Sequence, residues 1–447
     1  MKRYLTFISI IISIHASAQS ISLKECIESG LVNKANIQSS KIETIIANLK
    51  SIETKSKFLP QLNIAYDYRY NPVIPSQIVP IGQFSTMPND EKRAIQFGTR
   101  WQQNAGVTIY QPLVDKVIKS RISENKLNEK IAGIELQQVE NNLIYEIIKS
   151  YSRILVVQKN IEEKTIDTAR SFLTYTLIKI KWEEGKILKT ELNEAQINHL
   201  ANILNYKKGI ADLIDEKIYL HFLTGIQLEK ILEGKLNPIP DAVYQLAENN
   251  ITVQTDSLTE FKTLSIRENL LRQQIMTEKT KYIPVLGAEG FLGANQFSNK
   301  FNPAMNNSWF GNSYIGLSIK LPLFTPTQSI NAQKQLQQRI KNMSYQKSEL
   351  KSEIMKQFLQ LKNKIDQYKN EQEYLENSLA LKKENISAYQ YQLENGRFTS
   401  IDINIKETDV QNLSSQLINL KEKLNQAIIE QLKICGYLNK TLFNLLK

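Results

Sequence analysis

The side chains that most often do chemistry are sparse in this 447-residue chain. It has two cysteines, Cys26 and Cys435, and its three histidines include only His199 and His221 beyond the first few residues. Neither cysteine belongs to a CxxC or Cys/His ligand spacing, and no HExxH, GxSxG, P-loop or GxGxxG is present. Nothing here sets a nucleophile beside a base or gathers ligands around a metal, so no enzyme, no cofactor and no metal site is expected. The carboxylates offer a narrower chemistry. Glu191 and Asp402 each stand six residues beyond a glycine, Gly185 and Gly396, in the first turn of a predicted helix. Thr399 with Asp402 three residues on resembles a capping box, with Asp in place of the usual Glu. A carboxylate there is stabilised by unpaired backbone N–H groups and by the helix dipole, and any further role must be weighed against that one.

Those two glycines belong to a longer correspondence. Glu184-Gly185-Lys186 is answered by Asn395-Gly396-Arg397, and Thr224-Gly225 by Cys435-Gly436, both 211 residues later. Gln111-Pro112-Leu113 is answered by Leu321-Pro322-Leu323 at 210, and Lys57-Phe58-Leu59-Pro60 by Lys281-Tyr282-Ile283-Pro284 at 224. Self-similarity at a nearly fixed spacing predicts two tandem copies of one unit. The expected divisions are a leader at 1–18, a first repeat at 19–225, a connector at 226–257 and a second repeat at 258–447.

Each copy holds two kinds of segment. Residues 113–184 contain one glycine and no proline, and residues 328–395 contain neither. In the second stretch Leu336, Ile340, Met343, Leu350, Ile354, Phe358, Leu361, Ile365, Tyr368, Leu375 and Leu379 recur at steps of three, four and seven, a narrow stripe on one helical face. Helices of that length reach on the order of 100 Å and point to coiled-coil packing. Each ends at its glycine and turns back into a second helix, near 190–225 and 400–436, giving two long helical hairpins. The tip turns are Gly185, Lys186 and Ile187 in the first hairpin and Gly396, Arg397 and Phe398 in the second. The other segments alternate as strands do: 62–70 and 315–321 cleanly, 106–110 and 285–291 more weakly. Tyrosines crowd the first strand, and Trp101, Trp309 and Phe310 lie near strand ends, as an interfacial girdle requires. The loops within the strand pairs, about 71–100 and 295–312, are expected to face outward.

The first residues set the compartment. Lys2 and Arg3 precede an apolar run from Leu5 to Ile14 and a small-x-small site at Ala16-Ser17-Ala18, the pattern of a cleaved secretory leader. Export permits a disulfide, but two free, small apolar cysteines are the expected state. The formal net charge is +11, and +9 once Lys2 and Arg3 are removed. Its lysines are scattered among glutamates along helical segments, so no nucleic-acid partner is expected. The alternating strands by themselves fit a half-buried soluble hairpin as well as a membrane strand; export, the aromatic strand ends and the lack of any stretch after the leader long enough for a transmembrane helix tilt the reading to the membrane. A sheet in lipid must close, because each unpaired backbone group costs several kcal/mol. Four strands are too few to close a barrel, so the barrel must be shared between chains; two copies give eight strands and three give twelve.

Taken together, these residues resemble the TolC family of outer-membrane efflux proteins. The resemblance runs from Ser22-Leu23-Lys24-Glu25-Cys26-Ile27, through Phe58-Leu59-Pro60-Gln61-Leu62 and the turn at Glu184-Gly185 leading to Glu191-Leu192-Asn193-Glu194-Ala195-Gln196, to Asn395-Gly396 and Asp402-Ile403-Asn404. It implies a mainly α protein with membrane β, each repeat giving a coiled-coil hairpin and two strands to a shared transmembrane β-barrel. It also implies a homotrimer in outer-membrane lipid, with a helical tunnel in the periplasm. Such a trimer is a passive duct of a tripartite efflux or secretion system, docked to an inner-membrane pump through a periplasmic adaptor protein. The resemblance places Asp402, with Glu191 as its repeat mate, at the periplasmic entrance constriction, and the two tip turns against the adaptor. The family's second acidic position, three residues on, is Ile405 here. A periplasmic adaptor-like coiled-coil protein that binds a pump or channel is the alternative, although two hairpins and a cleaved leader argue against it.

Overall fold

The computed structural model describes residues 20–81, 86–87, 90–240, 252–301, 309–321, 326–395 and 397–438. The leader, Gly396 and Pro322 lie outside the described residues, as do parts of both strand-joining loops. The chain is mainly helical and forms two compact units, described separately below: residues 1–43, 133–264 and 345–447, and residues 44–132 and 265–344.

Two helices dominate, α3 (Lys116–Glu183, 68 residues) and α7 (Pro326–Glu394, 69 residues). Each is followed by a shorter return helix, α4 (Lys189–Thr224) and α8 (Ser400–Ile434). The remaining helices are α1 (Leu23–Asn33), α2 (Ala35–Ser56), α5 (Leu228–Glu233) and α6 (Thr259–Thr280). Helices stop where glycine allows a left-handed turn: Gly185, Gly225 and Gly436 have φ of 71°, 69° and 81°. Among the described residues no helix is long and apolar enough to cross a membrane.

In the first unit the helices pack as a coiled coil. Ile354, Leu361 and Leu375 of α7, with half-buried Tyr368 between them, and Ile403, Val410, Leu417 and Leu424 of α8 recur every seven residues. Sevenfold spacing keeps one seam facing its neighbour. The largest core cluster joins α1, α3, α4, α7 and α8 around Cys26, Ile147, Tyr151, Leu220, Leu361 and Ile428. Both cysteines are free and buried within it, as the sequence suggested. Burial pushes the Cys26 thiol up to about 12 and the Cys435 thiol to about 11, so both stay protonated, apolar and inert.

The described part of residues 226–257, expected as a connector, holds a helix and a strand. After α5, strand β6 (Lys235–Leu236) pairs in parallel with β1 (Ser20–Ile21). Tyr151 of α3 fixes that pairing, its hydroxyl 2.8 Å from the Ile21 carbonyl and 2.7 Å from that of Asn237. Buried Lys217 donates to the carbonyls of Leu232 and Gly234, at 2.7 and 3.3 Å, where α5 ends. A Cβ on Gly234 would lie 2.5 Å from the Lys230 carbonyl, so only glycine fits there.

The second unit carries an antiparallel sheet in the order β2 (Gln61–Tyr70), β5 (Trp101–Val114), β7 (Val285–Ser298), β8 (Trp309–Lys320). The two predicted strand pairs are present and meet through β5 and β7. Two details correct the sequence reading. Strands β5 and β7 are 14 residues each, longer than the segments that alternate. The stretch 71–100, expected as a loop, contains a hairpin of β3 (Ser76–Val79) and β4 (Arg93–Gln96).

Candidate functional site

The sheet separates its side chains by polarity, because successive residues on a strand point to opposite faces. Register places Leu62, Ile109, Gly290 and Ile315 in one row across all four strands, and Ile64, Val107, Leu292 and Ser313 in the next. Leu317 and Ile319 continue that face on β8. Ile64 is 85% exposed and Ile315 95% exposed, although both lie in the middle of regular strands. The opposite face carries Asn63, Asp67, Arg69, Asn104, Glu289 and Lys320. A continuous exposed apolar sheet face is what an aqueous protein avoids and a bilayer requires.

Aromatic rings gather at one end of the same face. The Trp101 ring lies 5.2 Å from Tyr68, 4.5 Å from Tyr70 and 4.9 Å from Phe301. Next to them Gln103 and Gln296 are paired in register and buried, and the Tyr66 hydroxyl donates to Gln103 Oε1 at 2.8 Å. The apolar stretch thus ends in rings with polar edges, which suit a lipid headgroup boundary. On the polar face the Phe291 ring lies over Gly106 and Gly293, where an added Cβ would come within 2.5 Å of it.

The hairpin tips in the first unit share one small core. Ile178, Ala195, Leu393 and Ile403 are buried there, with Ile187 and Phe398 packed against them. Of the expected tip contacts, Ile187 and Phe398 are therefore partly used within the chain, and Phe398 stacks on Tyr389 at 5.2 Å. Lys186 is paired to Glu184 at 2.8 Å on the surface, and Arg397 is exposed. Both turns close by the same bond: Lys186 donates its N–H to the Lys181 carbonyl and Arg397 to that of Gln392, each at 2.9 Å. Lys181 ties the hairpins together by donating Nζ to the Leu393 carbonyl.

Asp402 completes the capping box. Its Oδ2 accepts from the Thr399 backbone at 3.0 Å and from the Thr399 hydroxyl, while its own N–H donates back to Thr399 Oγ1 at 3.2 Å. These bonds from Thr399, side chain first and backbone second, hold its carboxyl below the usual carboxylate range. Glu191 occupies the first turn of α4, its N–H donating to the Leu188 carbonyl at 3.1 Å.

One functional-looking group was missed in the sequence. Glu407 of α8 is fully buried, with Oε1 accepting from Thr174 at 3.2 Å and Oε2 without a partner. Burial pushes its carboxyl up; the Arg170 charge and the Thr174 bond pull it back, and the Asp167 charge adds to the rise. Asp167 itself is paired to Arg170 at 3.1 Å. The signal was available: Glu407 falls between Ile403 and Val410 on the buried stripe of α8. Among the described residues no group of His, Cys, Asp and Glu is arranged to hold a metal ion.

No protein-family model and no curated protein matches the sequence. Solved structures do. CusC, whose structures concern folding and transmembrane channel formation, superposes with a TM-score of 0.71 at 12% identity, over 93% of this chain and 92% of its own. The outer membrane protein VceC from Vibrio cholerae gives 0.69 at 13%, over 93% and 96%. The Campylobacter jejuni CmeC outer membrane channel gives 0.68 at 13%, over 95% and 89%. The fold is therefore the one shared by CusC, VceC and the CmeC channel.

Proposed function

We propose that this chain is an outer-membrane channel of a tripartite efflux or secretion system, a passive duct from periplasm to exterior. The observation that carries this reading is the four-stranded sheet with one exposed apolar face, set in the fold of outer-membrane channels. Among the described residues β2 and β8 each pair on one side only. Lipid does not tolerate such edges, so neighbouring copies complete them. Three copies forming one barrel of twelve strands is the arrangement that the family resemblance supplies. The order α2–β2–β5–α3–α4, followed by α6–β7–β8–α7–α8, supports reading residues 19–225 and 258–447 as tandem copies joined by 226–257.

In this arrangement the helices form a periplasmic tunnel and the strand-joining loops face outward. Gly185, Lys186, Ile187, Gly396, Arg397 and Phe398 meet a periplasmic adaptor, which couples the duct to an inner-membrane pump. Exposed Leu188 and Arg397 are the parts of the tips best placed for that contact. Asp402 and Glu191 border the periplasmic entrance. Protein purified from outer membranes and added to a planar bilayer should conduct ions in discrete steps. Recovery in the soluble periplasmic fraction without conductance would overturn the reading.

A further inference from the structure

The sheet-bearing unit also contains a polar cavity of about 350 Å3, lined by α3, α6 and α7. That volume falls within the small-molecule range of roughly 300–1,000 Å3. Helix α6 is held on one side by α3, where Gln273 donates to Ser120 Oγ at 2.8 Å. On its other side Ser329 of α7 donates to the Glu278 carbonyl at 3.1 Å. The cavity therefore lies over α6, and its two flanking helices each contribute one exposed arginine to its lining, Arg121 from α3 and Arg339 from α7.

The acids in the cavity are already engaged. Glu278 is paired with Lys281 at 2.6 Å, and Glu124 accepts the Thr277 hydroxyl. Among the described residues Arg121 and Arg339 have neither an ion pair nor a hydrogen bond. Two exposed guanidinium groups lining one polar cavity, with Glu278 ion-paired and Glu124 hydrogen-bonded, leave donor forks whose geometry matches an oxyanion.

We propose that Arg121 and Arg339 form a binding subsite for a solute bearing a phosphate or carboxylate group. The inference rests on the channel reading for its biological meaning, since it assigns an anionic class to the cargo, but the binding itself can be measured independently. Inorganic phosphate should bind the detergent-purified full-length protein in a calorimetric titration and reduce chloride conductance in a planar bilayer. Arg121→Gln with Arg339→Gln should weaken both effects at least tenfold. Arg121→Lys with Arg339→Lys should give an intermediate value, because lysine keeps the charge and loses the fork. Equal phosphate binding by wild type and the glutamine variant, or none by wild type, would overturn the subsite. So would loss of the assembled species in the glutamine variant with its retention in the lysine variant and unchanged phosphate affinity, since the arginines would then be assembly contacts. Phosphate binding that depends on both arginines in a protein that conducts nothing would overturn the channel reading and leave the subsite standing.

Discussion

Glu407 shows how one residue can make a helical bundle respond to pH. Its carboxyl is raised by burial, so the folded chain holds the proton more tightly than the unfolded chain does. The sign follows: stability is greatest below the ordinary value of 4.5 and falls as pH rises through the higher folded value. Glu407→Gln should therefore raise the melting temperature at pH 8 and make little difference at pH 4, as read by thermal unfolding in detergent. Equal shifts at both pH values would mean that packing, not ionisation, governs the site. Asp402 has the opposite sign, because its capping bonds lower its carboxyl; its contribution is present above the ordinary value of 3.8 and is lost as pH falls through the folded one. It is therefore ionised at neutral pH, as an electrostatic restriction at a narrow opening requires. Asp402→Asn should raise conductance or weaken cation selectivity while assembly persists. Thr399→Ala removes the cap but keeps the charge, and should cost about 1 kcal/mol with selectivity unchanged. If the two variants behave alike, Asp402 is only a cap.

At the level of elements, the two packing surfaces should respond oppositely to polarity. Ile403 is fully buried on the sevenfold stripe of α8, and Ile403→Ala should cost about 2–5 kcal/mol in a detergent-unfolding measurement. Ile315 is almost fully exposed on the apolar sheet face, where an alanine should change little. Ile315→Arg should cost about 2–4 kcal/mol if that face meets lipid, and nothing if it meets water. Equal refolding yields of the arginine variant and wild type into vesicles would place the face in solvent. The same contrast explains what the sequence made legible. The long helices were readable because the stripe through Ile354, Leu361 and Leu375 repeats over many turns. Strands 62–70 and 315–321 were readable because their alternation is unbroken. The ends of β5 and β7 were not, because Gly106, Gly287, Gly290 and Gly293 interrupt the pattern, and these glycines are understood only once Phe291 is seen over Gly106 and Gly293, Tyr110 over Gly287 and Ile109 beside Gly290. The hairpin of β3 and β4 and the pairing of β1 with β6 are too short to be periodic. Glu407 was legible as a polar residue on an apolar stripe, whereas its partners Thr174 and Arg170 come from another helix.

For the whole molecule, the sheet edges that are unpaired among the described residues and the exposed stripe of Ile42, Ile45, Ile46, Leu49 and Ile52 on α2 leave much apolar surface uncovered in a single chain. Chemical crosslinking of detergent-purified protein should give a ladder that ends at three copies. A monodisperse, folded single chain would remove the argument from sheet closure. The clamp around Tyr151 adds a constraint in time. Its hydroxyl lies 130 residues from Ile21 and 86 from Asn237, and both carbonyls belong to the same small junction. A chain delivered from its N-terminal end presents Ile21 early and Asn237 much later, so the first strand must wait, unpaired, until Lys235 and Leu236 arrive. Closing so long a loop carries an entropic cost before any contact offsets it, and it slows folding. During that interval the backbone N–H and C=O groups of Ser20 and Ile21 are without their strand partner and open to proteases.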